Sequence, residues 1–322
     1  MARALRIVSF LPSATEMACA LGLGDQLMGI SHECDYPPEL KGKPTVVHSV
    51  LPVERMSQAE IDAAVAERLR NGQSLYQIDE ERLRAIEPDL ILTQDLCQVC
   101  APSGNEAAHA LQALPNKPQV LFLTPKNLEE IFGNLRELGE ATGRMQSAEK
   151  LIADGRARLA TVARATRDIS RRPRVFCMEW LDPVYCSGHW VPEMVQIAGG
   201  IDELGQNGSD SIRIPWSRVL EWAPEVLVVM PCGFGLEKAA AEAAQLSRYP
   251  GWSELPAVRN GHVYAVDANA YFARPGPRVV EGTELLAHLF HPDLFAWEGP
   301  EGSFRRIERA SVSESLRASP AA

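Results

Sequence analysis

The chain has 322 residues, 46% of them hydrophobic, with a formal net charge of −10 and a sequence pI near 5.3. This length and hydrophobic content are enough for two ordinary α/β domains with buried cores, and they exclude a largely disordered chain. The negative charge argues against nucleic acid or an anionic membrane surface as the main partner. It favours a neutral, zwitterionic or cationic small-molecule ligand.

The start of the chain and its cysteines predict the compartment. Pro12 ends the first apolar run after a few residues, and no run reaches the ~18 apolar residues needed to span a membrane. Seven cysteines, an odd number at low density, are typical of a reducing compartment. We therefore predict a cytoplasmic protein with no membrane insertion.

The first part of the chain alternates between strand and helix signals. Residues 5–11 form an apolar strand, and the spacing of Ser13 to Glu16 predicts a capping box that starts a helix. Apolar runs at 27–31 and 90–93 predict two further strands. We assign residues 1–126 to an N-terminal α/β lobe.

A long helical segment follows this lobe. Between residues 127 and 170, apolar residues recur at helical spacing, and Gly143 is expected to divide a shorter helix from a longer one. We interpret 127–170 as a stiff connecting backbone, 171–298 as a C-terminal α/β lobe, and 299–322, which is rich in Ser, Arg and Ala, as a disordered tail.

Two segments of the chain echo each other weakly. Residues 83–97 and 219–232 each contain a helix end, a Pro followed by an acidic residue, an apolar strand and a cysteine in the next loop. A duplicated α/β lobe would produce this pattern, and coincidence is the alternative.

The loops after the predicted strands are rich in aromatic and polar residues. Ligands of open α/β sheets bind beyond the carboxyl ends of the strands, so these loops are the expected ligand site, with aromatic side chains as its walls and arginines for a carboxylate, amide or phosphate. The predicted ligand-binding residues are Pro12, Ser13, Thr15, Tyr36, Gln94, Asp95, Glu179, Trp180, Asp182, His189, Trp190, Phe234, Asp267, Tyr271, Phe272 and Arg274.

The cysteines and histidines of the same loops allow a second interpretation. Cys97 and Cys100 have the spacing at which two thiolates reach one metal ion, and zinc or iron would suit thiolate and imidazole ligands. A second CxxC is missing, and packing is the competing explanation for these cysteines. The candidate metal ligands are Cys34, Cys97, Cys100, Cys232, His32 and His189.

Catalytic signatures are missing from the sequence. It contains no nucleophile elbow, P-loop, HExxH or GxGxxG motif, so we assign no catalytic residue. This favours a binding protein over an enzyme.

Several motifs resemble a known family. Residues 10–16 (FLPSATE), the helical segment and residues 261–267 (GHVYAVD) resemble the cobalamin and iron-siderophore substrate-binding proteins of ABC importers, the class III or helical-backbone type. Residues 31–37, 95–100, 188–194, 231–234 and 271–278 are similar to a subgroup without a leader that is labelled cobalamin-binding.

The resemblance implies an α/β fold of two Rossmann-like lobes with mostly parallel sheets, joined by a long backbone helix, with the ligand in a cleft between the lobes. It implies cobalamin or a related corrinoid as the ligand and an ABC importer as a conceivable partner. A metal-thiolate protein, or an enzyme derived from a binding protein, is the alternative. A siderophore or haem carrier is less favoured, because only Arg274 and Arg278 offer positive charge to an anionic ligand.

Overall fold

A computed structural model describes residues 4–95, 110–112 and 114–308, and the described residues form two compact units. Unit 1 comprises Met1–Pro125 and Glu129–Ala153, and unit 2 comprises Lys126–Leu128 and Asp154–Ala322. The division between the units falls inside a helix, whereas the sequence had assigned residues 127–170 to a separate connecting segment.

Unit 1 contains a six-stranded sheet in the order β4-β3-β2-β1-β5-β6. All neighbouring pairs are parallel except β3 and β4, which are antiparallel. The predicted strands at 27–31 and 90–93 are confirmed. The strands are β1 (Ile7–Ser9), β2 (Leu27–Ser31), β3 (Thr45–Ser49), β4 (Tyr76–Ile78), β5 (Leu90–Thr93) and β6 (Gln119–Phe122).

Several helices lie wholly or mostly in the described part of unit 1 or begin there, and the last of them continues into unit 2. Gly143 has a φ of +68° and separates the last two of these helices, as predicted. They are α1 (Pro12–Ala20), α2 (Gln58–Arg70), α3 (Glu80–Ile86), α4 (Leu128–Ala141) and α5 (Met145–Ala165).

The capping box predicted at Ser13 is wrong. Helix α1 begins at Pro12 with Leu11 as its N-cap and no side-chain cap, so Ser13 lies inside the first turn. Proline fits this position because its missing N–H would have had no helical partner. A capping box does form at Ser57, whose side chain accepts the N–H of Glu60 at the start of α2.

Unit 2 contains a five-stranded sheet in the order β13-β12-β11-β7-β8 and a two-stranded sheet of β9 and β10. Strands β7, β11 and β12 are parallel, while β8 and β13 run antiparallel to their neighbours. The strands are β7 (Val175–Leu181), β8 (Val184–Cys186), β9 (Gly188–His189), β10 (Gln206–Asn207), β11 (Val226–Val229), β12 (Val263–Val266) and β13 (Phe304–Arg306).

Strand β13 corrects the predicted tail. The sequence placed residues 299–322 in a disordered tail, but Phe304–Arg306 pairs with β12 and Ser303 is buried, while the part of the prediction at 309–322 lies outside the described residues. The segment has little apolar content, so the backbone pairing with β12 and not its composition orders it.

The helices of unit 2 connect its strands. The long apolar helix near the end of the chain has nine buried residues and provides much of the core on its side of the unit. The helices are α6 (Val191–Ile197), α7 (Trp216–Trp222), α8 (Leu236–Ala243), α9 (Pro256–Asn260), α10 (Ala268–Tyr271) and α11 (Val279–Phe290).

The weak echo in the sequence corresponds to a repeated local structure. Glu87 is the C-cap of helix α3 and Ala223 is the C-cap of helix α7, and both residues are left-handed with a φ of 47°. A proline, an acidic residue and a central strand follow each of them. The strand after α3 pairs Leu90 with Ile7, and the strand after α7 pairs Val226 with Val175.

The same hydrogen bonds recur at this position in both units. In unit 1 the carboxylate of Asp89 accepts the backbone N–H of Arg6 at 2.9 Å. In unit 2 the carboxylate of Glu225 accepts the backbone N–H of Arg174 at 3.1 Å. The shared turn, register and carboxylate bond support two copies of one α/β motif.

Candidate functional site

In unit 1 the chain order changes direction between β1 and β5, which are adjacent in the sheet. Ligands of open α/β sheets bind at such a switch point, beyond the carboxyl ends of the strands. Pro12 and Ser13 follow β1 here, and Gln94 and Asp95 follow β5. Three of these residues are buried, and Asp95 is exposed.

The loop after β2 meets the first turn of α1 through one polar contact. The Thr15 hydroxyl lies 3.1 Å from the sulfur of Cys34, and Thr15 is fully buried while Cys34 is half-buried. Tyr36 is 43% exposed. The structure thus brings together two predicted residues, Thr15 and Cys34, that lie 19 positions apart.

The ring of His32 stacks beside two residues that the sequence analysis did not select. Its centroid lies 6.4 Å from the ring of His48 and 6.3 Å from that of Tyr76. Loss of hydration lowers the pKa of His32, and proximity to His48 lowers it further. A contact of 3.2 Å joins Nδ1 of His32 to the carbonyl of Val47.

His48 and Tyr76 also line a polar pocket of about 630 Å³ beside β3 and β4, together with Gln77, Ile78, Asp79, Glu80 and Ala110. Sequence reasoning missed this pocket because it predicted neither strand. The alternating residues of Thr45–Ser49, with Val46 and Val47 buried, were the available signal.

In unit 2 two predicted aromatic residues meet at the carboxyl ends of β7 and β11. The rings of Trp180 and Phe234 are 5.5 Å apart and tilted by 59°. The Lys238 ammonium lies 3.8 Å from the centre of the Phe234 ring, within cation–π range. Trp180 lies in β7 itself and not in the predicted loop, and it is half-buried.

Glu179 connects this aromatic pair to a second group of predicted residues. Its carboxylate accepts the backbone N–H of Gly188 at 3.0 Å, and its carbonyl accepts the N–H of Cys232 at 3.2 Å. A Cβ atom on Gly188 would come within 2.7 Å of the Ser209 carbonyl oxygen. Glycine is therefore required where this backbone passes the segment 209–211 that follows β10.

His189 has a polar partner from a distant part of the chain. Its Nε2 lies 3.0 Å from a carboxylate oxygen of Asp210, and its side chain is 15% exposed. Burial lowers the pKa of His189, while Asp210 raises it and Lys126 lowers it. Asp210 was not among the predicted residues, since a short exposed loop carries no sequence signal of this contact.

Trp190 packs next to His189, with ring centroids 5.5 Å apart, and contacts the loop that carries the remaining predicted aromatics. The indole N–H of Trp190 donates to the Phe272 carbonyl at 2.9 Å, and the Tyr271 hydroxyl lies 2.9 Å from that of Ser303. Trp190, Tyr271, Phe272 and Phe234 are each at most 5% exposed.

Three further predicted residues have structural partners or are buried. Asp182 forms an ion pair with Arg248 at 2.6 Å, and Asp267 caps α10 by accepting the N–H of Ala270. Arg274 is 9% exposed. Asp182 therefore lies in an ion pair on the β7–β8 turn, apart from the contacts made by Glu179 and His189.

The candidate metal ligands do not converge in the part of the chain that is described. Among residues 4–95, 110–112 and 114–308, no group of three or more His, Cys, Asp or Glu side chains is placed to hold a metal ion. Cys34 contacts Thr15, and Cys232 is exposed. Cys97 and Cys100 lie outside the described residues.

Within the described ranges, no helix is both long enough and apolar enough to cross a bilayer.

The chain contains two α/β units with mostly parallel sheets, and one long helix belongs to both units. Aromatic and polar residues lie at the strand ends. These features define the class of two-lobed α/β ligand-binding proteins. The chain belongs to the periplasmic binding protein family, whose model matches residues 7–270. The fold class predicted from the sequence is confirmed.

The chain is similar in sequence to named substrate-binding proteins. It is 28% identical over 285 residues to the vitamin B12-binding protein of Vibrio cholerae serotype O1, covering 87% of each protein. It is 25% identical over 301 residues to the ABC transporter substrate-binding lipoprotein YvrC of Bacillus subtilis, which is uncharacterized, covering 90% of this chain and 81% of that protein.

Solved structures share the fold. The periplasmic vitamin B12 binding protein of Vibrio cholerae superposes with a TM-score of 0.65 at 24% identity, covering 90% of this chain and 97% of that one. The periplasmic heme-binding protein RhuT from Roseiflexus sp. RS-1 gives 0.68 at 22%, covering 90% and 99%. The similar proteins include a lipoprotein and periplasmic proteins. The comparisons therefore do not support the predicted cytoplasmic location.

Proposed function

We propose that this chain binds a metal-containing tetrapyrrole, with cobalamin or a related corrinoid as the main candidate. The observation that carries the proposal is the set of sequence relatives named vitamin B12-binding proteins in several Vibrio species, which align with nearly the whole chain. Haem is the second ring to be tested, because the corrin and porphyrin rings share a flat apolar surface around a metal.

The contacts in unit 2 support this ligand class. Trp180 and Phe234 present aromatic surface at adjacent strand ends, and aromatic side chains hold broad flat ligands with little loss of conformational entropy. Lys238 over Phe234 places a positive charge beside this surface. A corrinoid carries neutral amide groups around its ring, which suits a protein with a net charge of −10.

The alternative of a metal-thiolate centre has less support. In the described part of the chain, the candidate ligands Cys34, Cys232, His32 and His189 form no group of three. Cys97 and Cys100 are the remaining candidates. Elemental analysis of the purified protein tests them, and one zinc or iron per chain without corrinoid uptake would favour this alternative.

Titration calorimetry of the apo protein with cobalamin, cobinamide and haem tests the proposal. We expect one corrinoid per chain, and Trp180→Ala should weaken its binding about tenfold or more, which corresponds to about 1.4 kcal/mol. Trp222→Ala is the matched control, because Trp222 is also a half-buried tryptophan but donates to the Val175 carbonyl at the opposite, amino end of β7. A wild-type protein that takes up none of the three compounds would overturn the proposal.

We propose that the protein delivers this ligand to an ABC importer, which is its partner. The Bacillus subtilis relative, named as a substrate-binding lipoprotein of such a transporter, supports it. Deletion of the gene is expected to lower uptake of radiolabelled cyanocobalamin by intact cells. Unchanged uptake would contradict the importer and leave the binding test unaffected.

A further inference from the structure

The backbone of His189 is held in a conformation that its side chain disfavours. Its φ is +52°, in the left-handed region where residues with a Cβ are rare. The other described non-glycine residues with positive φ, Glu87 and Ala223, are helix C-caps, but His189 lies in the short strand β9. Such a backbone is energetically unfavourable and is often found where function requires it.

The surrounding backbone enforces this conformation. The N–H of His189 donates to the Ser209 carbonyl at 2.7 Å, and its carbonyl accepts the N–H of Gly208 at 2.9 Å. Glu179 holds the preceding residue, Gly188, by its N–H. These hydrogen bonds fix the backbone from which the imidazole extends.

Asp210 determines which nitrogen of the ring is left to bind a ligand. A carboxylate only accepts hydrogen bonds, so Nε2 must carry the proton that it donates to Asp210 at 3.0 Å. In the neutral ring, Nδ1 then keeps its lone pair. No described residue forms a hydrogen bond with Nδ1. This arrangement of carboxylate, imidazole and open nitrogen is the one that protein metal ligands commonly use.

A single imidazole does not hold a bare metal ion, and no cluster of three ligands exists among the described residues. It can, however, occupy one axial position on a metal whose other ligands come from a ring. We propose that Nδ1 of His189 binds the central metal of the tetrapyrrole and that Asp210 is a positioning residue for this imidazole. The inference rests on the proposed function and deepens it.

The step is a ligand exchange. On binding, the Nδ1 lone pair would form a new bond to the metal and would displace a water molecule bound there. The Nε2 proton stays in its hydrogen bond to Asp210. The oxidation state of the metal does not change.

Electron paramagnetic resonance of the protein loaded with cob(II)inamide tests the proposal. This corrinoid has no base of its own, so nitrogen coupling along the axial direction must come from the protein. We expect a three-line splitting from one ¹⁴N, which becomes a two-line splitting when the protein is labelled with ¹⁵N-histidine. With ferric haem in the same protein, the spin state of the iron shows whether an imidazole is bound. Corrin and porphyrin rings can therefore be tested separately.

His189→Asn is the informative variant, because asparagine tolerates the left-handed backbone and removes the imidazole. It should lose the nitrogen splitting, and His262→Asn, at an exposed histidine of the same unit, should keep it. Asp210→Ala should weaken ring binding about 10–100-fold, and Asp210→Asn should largely restore it, since its amide oxygen still accepts from Nε2.

The outcomes separate this inference from the proposed function. Splitting that is present in the wild type and lost in His189→Asn supports it. A wild type that binds the ring without nitrogen splitting, or a His189→Asn variant that keeps the splitting, overturns the inference and leaves the proposed function standing. A wild type that binds neither ring overturns both.

Discussion

At the scale of single residues, unit 2 contains a partly buried carboxylate with four hydrogen-bond donors that the sequence did not single out. Asp202 accepts the backbone N–H groups of Cys177, Leu204 and Gly205 and a hydrogen bond from the Ser187 hydroxyl. It thereby ties β7 to the loop before β10. Burial raises its pKa from 3.8 to about 6, against the lowering effect of these donors.

This shift predicts a pH dependence of stability. The folded protein holds the Asp202 proton more tightly than the unfolded chain does, so the contribution of Asp202 is largest below pH 4 and decreases as the pH rises to about 6. A shift of this size corresponds to about 3 kcal/mol. The neighbouring thiols Cys177 and Cys186 stay neutral across this range, because burial raises their pKa values.

Asp202→Asn isolates this effect. The amide turns its NH₂ group towards the N–H of Cys177, so the variant should be less stable than the wild type. The difference in unfolding free energy between the two proteins should shrink by about 3 kcal/mol between pH 4 and pH 7. Urea unfolding at several pH values measures it, and a difference that does not change with pH would contradict the assignment.

At the scale of secondary-structure elements, β13 shows the largest departure from the sequence prediction. The Asp267 N–H donates to the Ser303 carbonyl, the Ile307 N–H donates to the Val263 carbonyl, and Phe304 packs edge-on against Tyr264. These contacts cover the edge of β12. A bare edge strand would leave its backbone groups without partners.

Truncation distinguishes an ordered strand from a tail. Deletion of residues 299–322 should destabilise unit 2 by about 3 kcal/mol or more, because several backbone hydrogen bonds and the buried Ser303 are lost. Deletion of 309–322 alone is the control and should leave the melting temperature unchanged. Equal melting temperatures for both deletions would restore the tail interpretation.

At the scale of the whole molecule, the repeated motif gives each unit the same hydrogen bond from a backbone N–H to a carboxylate, which we call its lock. Asp89 holds Arg6 in unit 1, and Glu225 holds Arg174 in unit 2. Burial raises the pKa of Glu225, but the hydrogen bond from the Arg174 N–H and the charges of Arg171 and Arg174 outweigh it and lower the pKa below its usual value. The Glu225 carboxylate is therefore in the charged, accepting form at neutral pH.

Substitutions of the two locks should act on separate units. Asp89→Ala should lower protection against hydrogen exchange by about 1–3 kcal/mol in β1 and β5, because it leaves the Arg6 N–H unpaired. Glu225→Ala should do the same in β7 and β11. Each variant is the control for the other, and an equal loss of protection in both units after either substitution would show that the locks are not local.

Features that depend on short-range pattern could be predicted from the sequence. The strands β2 and β5 follow from their apolar runs, the break at Gly143 from its residue type, and the duplicated motif from Pro and an acid before a strand. Trp180, Phe234 and His189 were selected because strand ends carry ligand residues in this class of fold. Cys97 and Cys100 remain predictions.

Only the tertiary structure decided the features that depend on distant partners. The order of β13 comes from pairing with β12, where Ala265 lies opposite Arg305, 40 positions later. The contact of His48 with His32 comes from the adjacency of β2 and β3. The left-handed backbone of His189 and its bond to Asp210 likewise need β10 beside β9. Residue types set local preference by themselves, but which groups meet is set by long-range contacts that no local pattern encodes.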